Sequence, residues 1–156
     1  MGVHGTLLNW FYSYLTDRIQ RVVFDGYESR GLDVSSGVPQ GSHLGPILFL
    51  VFINDLCDVI LDSEILLFAD DCKIFKIIHT LLDSILLQND INRVSKWCND
   101  NRMFLNSLKC FHITFTRKHN SIPTQYFIDG TKLQEVATIR DLGVLFDKKT
   151  YFHTSY

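Results

Sequence analysis

Glu64-Ile65-Leu66-Leu67-Phe68-Ala69-Asp70-Asp71-Cys72-Lys73-Ile74-Phe75 places two adjacent aspartates between two apolar runs. Each run is short and rich in strand-forming residues, so the pair falls at the tip of a hairpin. Neighbouring carboxylates about 4 Å apart in a partly buried site repel by about 4 kcal/mol at an effective dielectric of roughly 20. A divalent cation is the simplest group that offsets such repulsion. Aspartate has a short stem, and its oxygens suit Mg²⁺, which takes carboxylates together with substrate phosphates. Two such ions, about 3.5–4 Å apart, activate an attacking hydroxyl and stabilise a leaving group in phosphoryl transfer. Asp-Asp is also an ordinary turn dipeptide, and taken alone the pair leaves both readings open.

Upstream, Leu7, Leu8, Phe11 and Leu15 recur at helical spacing and predict an amphipathic helix over 6–15. Asp25-Gly26 between strand-like runs predicts a hairpin. A loop follows, Ser35-Ser36-Gly37-Val38-Pro39-Gln40-Gly41-Ser42. Its glycines admit positive φ or close approach of a ligand, Pro39 stiffens it, and Gln40 offers both a donor and an acceptor. Gly45-Pro46 then starts a helix running to about Ile60, with Pro46 at its first position. That helix is apolar almost all round, which predicts burial.

Downstream, Leu87, Ile91, Val94 and Cys98, with Trp97 beside them, mark the inner stripe of a helix over 81–101. Phe111, Ile113 and Phe115 alternate with polar residues, as in a half-buried strand. Asp129-Gly130 marks another hairpin, and Leu142, Val144 and Phe146 alternate again. Lys109, in Leu105-Asn106-Ser107-Leu108-Lys109, could meet a triphosphate as a point charge, or lie solvated. Hairpins without β-α-β alternation predict an α+β domain, an antiparallel sheet with helices packed on one face.

The chain has 156 residues, 46% of them hydrophobic and 13% aromatic, enough for one globular domain. Its net charge of -2 argues against gripping nucleic acid by charge alone. Cys57, Cys72, Cys98 and Cys110 show no C-x-x-C spacing and read as buried thiols of a reducing compartment. The first residues show no signal-peptide pattern, so none is expected, and the longest apolar run, 46–53, is too short to span a bilayer. Met1 to Thr6 fits a myristoylation pattern, although a turn before a helix explains Gly2 and Gly5 as well.

Taken together, Gly37-Val38-Pro39-Gln40-Gly41, an apolar helix, Phe68-Ala69-Asp70-Asp71 and Leu105-Asn106-x-x-Lys109 strongly resemble reverse transcriptases. The resemblance is to LINE-type retrotransposons that lack long terminal repeats. It extends through Ser42-His43-Leu44-Gly45-Pro46-Ile47-Leu48-Phe49 to Ile53-Asn54-Asp55-Leu56, and includes Trp10 to Arg18 and Ile139 to Asp147.

The resemblance implies a partial polymerase palm over 1–156. Asp70 and Asp71 would be metal ligands and two of three catalytic aspartates, with two Mg²⁺ ions (or Mn²⁺) in the complete site. Gly37, Pro39, Gln40 and Gly41, with Phe68 and Ala69, would line the nucleotide and template pocket. Lys109 would serve catalysis near the triphosphate, and Leu142, Gly143 and Val144 would support the primer end. The partners implied are an RNA template, a DNA primer, deoxynucleoside triphosphates and the fingers and thumb of a parent protein, with no membrane. The location implied is intracellular, in nucleus or cytoplasm.

The third aspartate is expected on a strand before Gly2, and no other acid here has its context. Asp17 and Asp25 lie in turns, and Asp33 precedes the Gly-Pro loop. The chain is therefore expected to be inactive alone and active within a longer retrotransposon protein. The alternative is a non-catalytic remnant that acts as a nucleic-acid-binding or interaction module. An unrelated α+β domain with a fortuitous Asp-Asp turn is a third reading. Cys72 and Cys110 stand where the family more usually has threonine.

Overall fold

The computed structural model describes residues 2–116, 122 and 124–148. The chain forms two compact units, one up to Asn54 and one from Asp55 onward.

In the first unit, α1 (Gly5–Leu15) starts at Gly5, whose φ is +65°. Strands β1 (Arg18–Gln20) and β4 (Leu32–Val34) pair antiparallel, and β2 (Val23–Phe24) and β3 (Tyr27–Glu28) close the hairpin between them. The turn is Asp25-Gly26, as expected, with φ of +49° and +78°. Positive φ at both central residues is the type I′ pattern that matches strand twist. Helix α2 (Leu44–Phe52) follows; the 3₁₀ helix Asn54–Val59 begins at the last residue of this unit and belongs otherwise to the second.

α2 departs from expectation in length and in burial. It begins at Leu44, so Pro46 is its third residue, and it ends at Phe52. Among its residues only Gly45 is buried, while Ile47, Leu50, Val51 and Phe52 are exposed. The all-round apolar pattern specifies a helix that wants cover; it does not supply the cover.

In the second unit, β5 (Glu64–Phe68) and β6 (Asp71–Phe75) form a hairpin in strict register, from Glu64 opposite Phe75 to Phe68 opposite Asp71. Helix α3 (Leu81–Asp100) starts at a reciprocal cap. Asp83 N–H donates to the Thr80 hydroxyl at 3.3 Å, and the Asp83 carboxylate accepts the Thr80 N–H at 2.8 Å. At the other end Arg102 takes a φ of +57°, Met103 N–H reaches Cys98 O at 2.8 Å and Arg102 N–H reaches Asn99 O at 3.1 Å. This is a Schellman ending with arginine where glycine is usual.

The expected stripe of α3 is buried: Leu87, Ile91, Val94, Trp97 and Cys98. Leu87 and Ile91 pack with Tyr126, Ile128 and Leu133, and Ile74, Ile78, Leu105 and Cys110 pack around that cluster. Ile128 and Leu133 come from the next hairpin, β8 (Phe127–Ile128) and β9 (Thr131–Lys132), which turns at Asp129-Gly130 as expected. Gln88 clamps β8 to α3. Its amide donates to Phe127 O at 2.9 Å and its carbonyl accepts Phe127 N–H at 2.8 Å.

β7 (Phe111–His112) is much shorter than the expected strand over Phe111 to Phe115. It pairs in parallel with β10 (Gln134–Glu135), and both Phe111 and Phe115 are exposed. The last hairpin, β11 (Thr138–Asp141) and β12 (Val144–Asp147), turns at Leu142-Gly143.

The architecture is a mixed α+β arrangement. Among the described residues the expected single sheet appears as six two-stranded pairs, five of them antiparallel. Local hairpins close short loops at little entropic cost, whereas joining them edge to edge requires longer-range pairing. The cysteines also differ from expectation. Cys98 is buried and Cys110 half-buried, but Cys57 and Cys72 are exposed. Cys57 lies on a short 3₁₀ helix and Cys72 near a hairpin tip, where few side chains can cover them.

Candidate active site

The hairpin tip is built by a two-residue loop, Ala69-Asp70, between paired Phe68 and Asp71. Ala69 has a φ of +49°, and Asp70 is not among the positive-φ residues. Positive φ at the first central position alone is the type II′ pattern, which normally uses glycine there. An alanine in that conformation is strained. Asp70 therefore occupies the turn itself and Asp71 the first rung of β6. Both are exposed, and neither carboxylate makes a hydrogen bond or ion pair with another described residue.

The two faces of this hairpin differ. Ile65 opposite Ile74 and Leu67 opposite Cys72 form one face, and Ile74 packs onto the α3 core. Glu64 with Phe75, Leu66 with Lys73, and Phe68 with Asp71 form the other. Phe68 and Leu66 are exposed on that face. Although Cys72 is exposed as a residue, desolvation of its thiol, aided by the other cysteines, pushes it up to about 11.

The hairpin is fixed from below by Asp90, a side chain missed in the sequence. Asp90 is fully buried on α3, and its carboxylate accepts the N–H groups of Leu61 and Asp62, both at 3.0 Å. Arg93 donates to the same carboxylate at 2.5 Å. Burial alone pushes the Asp90 carboxyl up, but these hydrogen bonds outweigh it and hold the carboxyl below its ordinary value. Lys76, the residue after β6, donates to Asp62 O.

Lys109 is exposed and ends a 3₁₀ turn, Ser107–Lys109. Asn106 caps that turn, its side chain accepting Leu108 N–H at 3.2 Å. The Leu-Asn-x-x-Lys spacing thus has a local structural cause: the asparagine stops the chain and presents the lysine.

Leu142 and Gly143 have φ of +46° and +87°, again the type I′ pattern, with a leucine where asparagine or glycine is usual. Leu142 and Val144 are exposed. Asp141, at the base of this turn, accepts from Lys73 Nζ at 2.5 Å.

The remaining expected residues lie in the first unit. Gly37 and Gly41 both have a φ of +76°. Pro39 O accepts Ser42 N–H at 3.3 Å, and a Cβ at Gly45 would lie 3.2 Å from Ser42 Oγ. Arg18, also missed as a site residue, holds the loop. Its guanidinium donates to Gly37 O at 2.6 Å, Ser36 O at 3.1 Å and Leu15 O at 3.0 Å. A cleft of about 390 Å³ lies beside it, lined by Arg18, Gln20, Val34, Val38, Pro39 and Gln40 among others. Asp70, Asp71, Lys109, Leu142, Gly143 and Val144 share the second unit, with Phe68 and Ala69. Gly37, Pro39, Gln40 and Gly41 belong to the first.

No group of three histidine, cysteine or acidic side chains capable of holding a metal occurs among the described residues, and no described helix is long and apolar enough to cross a membrane.

Comparison with known proteins agrees with the sequence motifs. The family described as reverse transcriptase (RNA-dependent DNA polymerase) matches residues 1–146. The RNA-directed DNA polymerase from mobile element jockey of Drosophila melanogaster is 28% identical over 148 residues. The probable RNA-directed DNA polymerase from transposon X-element of the same fly is 34% identical over 147 residues. Each alignment covers 90% of this chain and 16% of the relative, so the chain spans about a sixth of their length. No solved structure matches it significantly. A matched span that takes in the loop, the aspartate hairpin and the Leu142-Gly143 turn together places the chain in the reverse transcriptase family.

Proposed function

We propose that this chain contributes part of the palm of an RNA-templated DNA polymerase, and that it works within a longer polypeptide. One observation carries the proposal: the hairpin places Asp70 in a strained two-residue turn and Asp71 on the adjoining rung, with both carboxylates exposed and free of described protein partners. Short, unpaired, neighbouring carboxylates fit a divalent cation, and Mg²⁺ is content with one or two of them plus phosphates and water. When bound, such a cation activates the primer hydroxyl and stabilises the leaving pyrophosphate.

The chain's own residues take the other roles. Asp70 and Asp71 hold the cation, and a further acid comes from the remainder of the polymerase. Lys109 faces the triphosphate with a positive charge that needs no deprotonation. Gly37, Pro39, Gln40 and Gly41 serve nucleotide and template binding, their loop held by Arg18, and Phe68 and Ala69 of the aspartate hairpin are assigned the same role. Leu142, Gly143 and Val144 support the primer end.

Primer extension on an RNA template with Mg²⁺ tests this. Purified 1–156 alone is expected to give no product, and the same residues within the longer polymerase are expected to extend the primer. Extension by the isolated chain would contradict the division of labour. Its absence from the longer polypeptide, folded and bound to template, would contradict the catalytic reading.

A further inference from the structure

An ion pair links two hairpins of the second unit, its partners 68 residues apart. Lys73 Nζ lies 2.5 Å from Asp141 Oδ2, and the two side chains are only 35% and 23% exposed. The register gives this pair its meaning. Lys73 pairs with Leu66 and Asp71 with Phe68, so Lys73 and Asp71 project from the same face of the β5–β6 hairpin, two residues apart. Asp141 pairs with Val144 and flanks the Leu142-Gly143 turn directly. The bridge thus joins the face that carries Asp71 to the base of that turn.

We propose that Lys73 and Asp141 are a positioning pair that sets the Leu142-Gly143 turn relative to the Asp70-Asp71 carboxylates, and so sets the primer end relative to the metal site. The inference rests on the polymerase reading above. The pair also keeps the Lys73 ammonium occupied. A strand rises about 3.3 Å per residue, so an unpaired Lys73 would lie within side-chain reach of Asp71 and compete with a cation for it. Partly buried pairs hold geometry better than exposed ones, because fewer competing waters reach them.

The test uses Lys73→Met, Asp141→Asn and the exchanged pair Lys73→Asp with Asp141→Lys. In the isolated chain, amide exchange of 142–144 is expected to rise in both single variants and to return toward the parent in the exchanged pair. In the longer polymerase, each single variant is expected to raise KM for primer-template about tenfold with KM for the nucleotide little changed, since small misplacements of a reacting end are costly. The exchanged pair is expected to recover most of that loss. A purely structural bridge would lower the melting temperature without moving the primer KM selectively. Unchanged exchange at 142–144, unchanged primer KM, or an exchanged pair as poor as the single variants with an unaltered melting temperature would overturn the proposal. Lys73→Arg, which keeps the charge, is expected to behave as the parent and guards against a folding defect in Lys73→Met. Asp70→Asn serves as the control for the underlying reading. If it leaves extension intact, the polymerase assignment of the hairpin fails; if it abolishes extension while the bridge variants change nothing, only the positioning role fails.

Discussion

Asp90 reaches from the middle of α3 to the backbone N–H of Leu61 at 3.0 Å, and so anchors the turn that leads into β5 and the aspartate hairpin. The same carboxylate takes the Asp62 N–H, and Arg93 covers its charge. Asparagine can accept one of these N–H groups but turns an NH₂ toward another donor. Asp90→Asn is therefore expected to destabilise the chain by roughly 3 kcal/mol, the scale of breaking a buried, hydrogen-bonded charge pair. Chemical denaturation at neutral pH measures it.

The pH dependence follows from the lowered Asp90 carboxyl. A group whose folded value is depressed adds stability that is present above its unfolded value, about 3.9 for aspartate, and lost as pH falls through the folded one. The gap in melting temperature between the parent and Asp90→Asn is thus expected to be full at pH 7 and to shrink below about pH 4. A gap that stays constant down to acid pH would show that Asp90 acts by shape and not by charge.

Arg18 makes three donations to carbonyls, of Leu15, Ser36 and Gly37, and their fork geometry suits a guanidinium. Lysine can serve only part of that set. Arg18→Lys is expected to raise amide exchange across 36–41 while leaving α3 protected. In the longer polymerase it is expected to weaken nucleotide use more than primer binding. Equal exchange in the two proteins would remove Arg18 from the loop's support.

Ala69 sits at a φ of +49° where glycine is at ease. Ala69→Gly is expected to stabilise the hairpin by up to about 1 kcal/mol, the relief of strain exceeding the added freedom of the unfolded chain. A lower melting temperature would mean that Ala69 is not strained.

Ile47, Leu50, Val51 and Phe52 are exposed on α2, and Phe24, Tyr27 and Phe104 are exposed elsewhere. Apolar surface of this kind drives association. Purified 1–156 is expected to self-associate in sedimentation, and Leu50→Lys with Val51→Lys is expected to reduce this with the helical content unchanged. A clean monomer in the parent would contradict the exposure.

Local signals carried much of this fold. Asp25-Gly26 and Asp129-Gly130 turn as their chemistry demands, and Leu87, Ile91, Val94 and Cys98 line the buried side of α3 because helical spacing dictates it. The aspartate pair at a hairpin tip was legible for the same reason, and the combination of motifs gave the family. What the sequence pattern could not give was the partner of each face. Phe111 to Phe115 alternates like a strand, yet only Phe111–His112 pairs, because alternation specifies a two-faced segment and not the edge it meets. α2 reads as buried, yet Ile47, Leu50, Val51 and Phe52 are exposed on it. The ties that hold the site, Arg18 to Gly37, Lys73 to Asp141 and Asp90 to Leu61, join residues 19 to 68 positions apart and leave no local trace. Asn106 is the exception, since an asparagine before a short turn is a recognisable cap.

The central claim is that Asp70 and Asp71 hold the catalytic cation. The most direct measurement is primer extension on an RNA template by the longer polymerase carrying Asp70→Asn or Asp71→Asn, with template binding measured alongside. The account predicts a fall in kcat of at least about a thousandfold for each, with template affinity nearly unchanged, because charge at the reacting centre is lost and binding surface is not. Extension near the parent rate by either variant would contradict it.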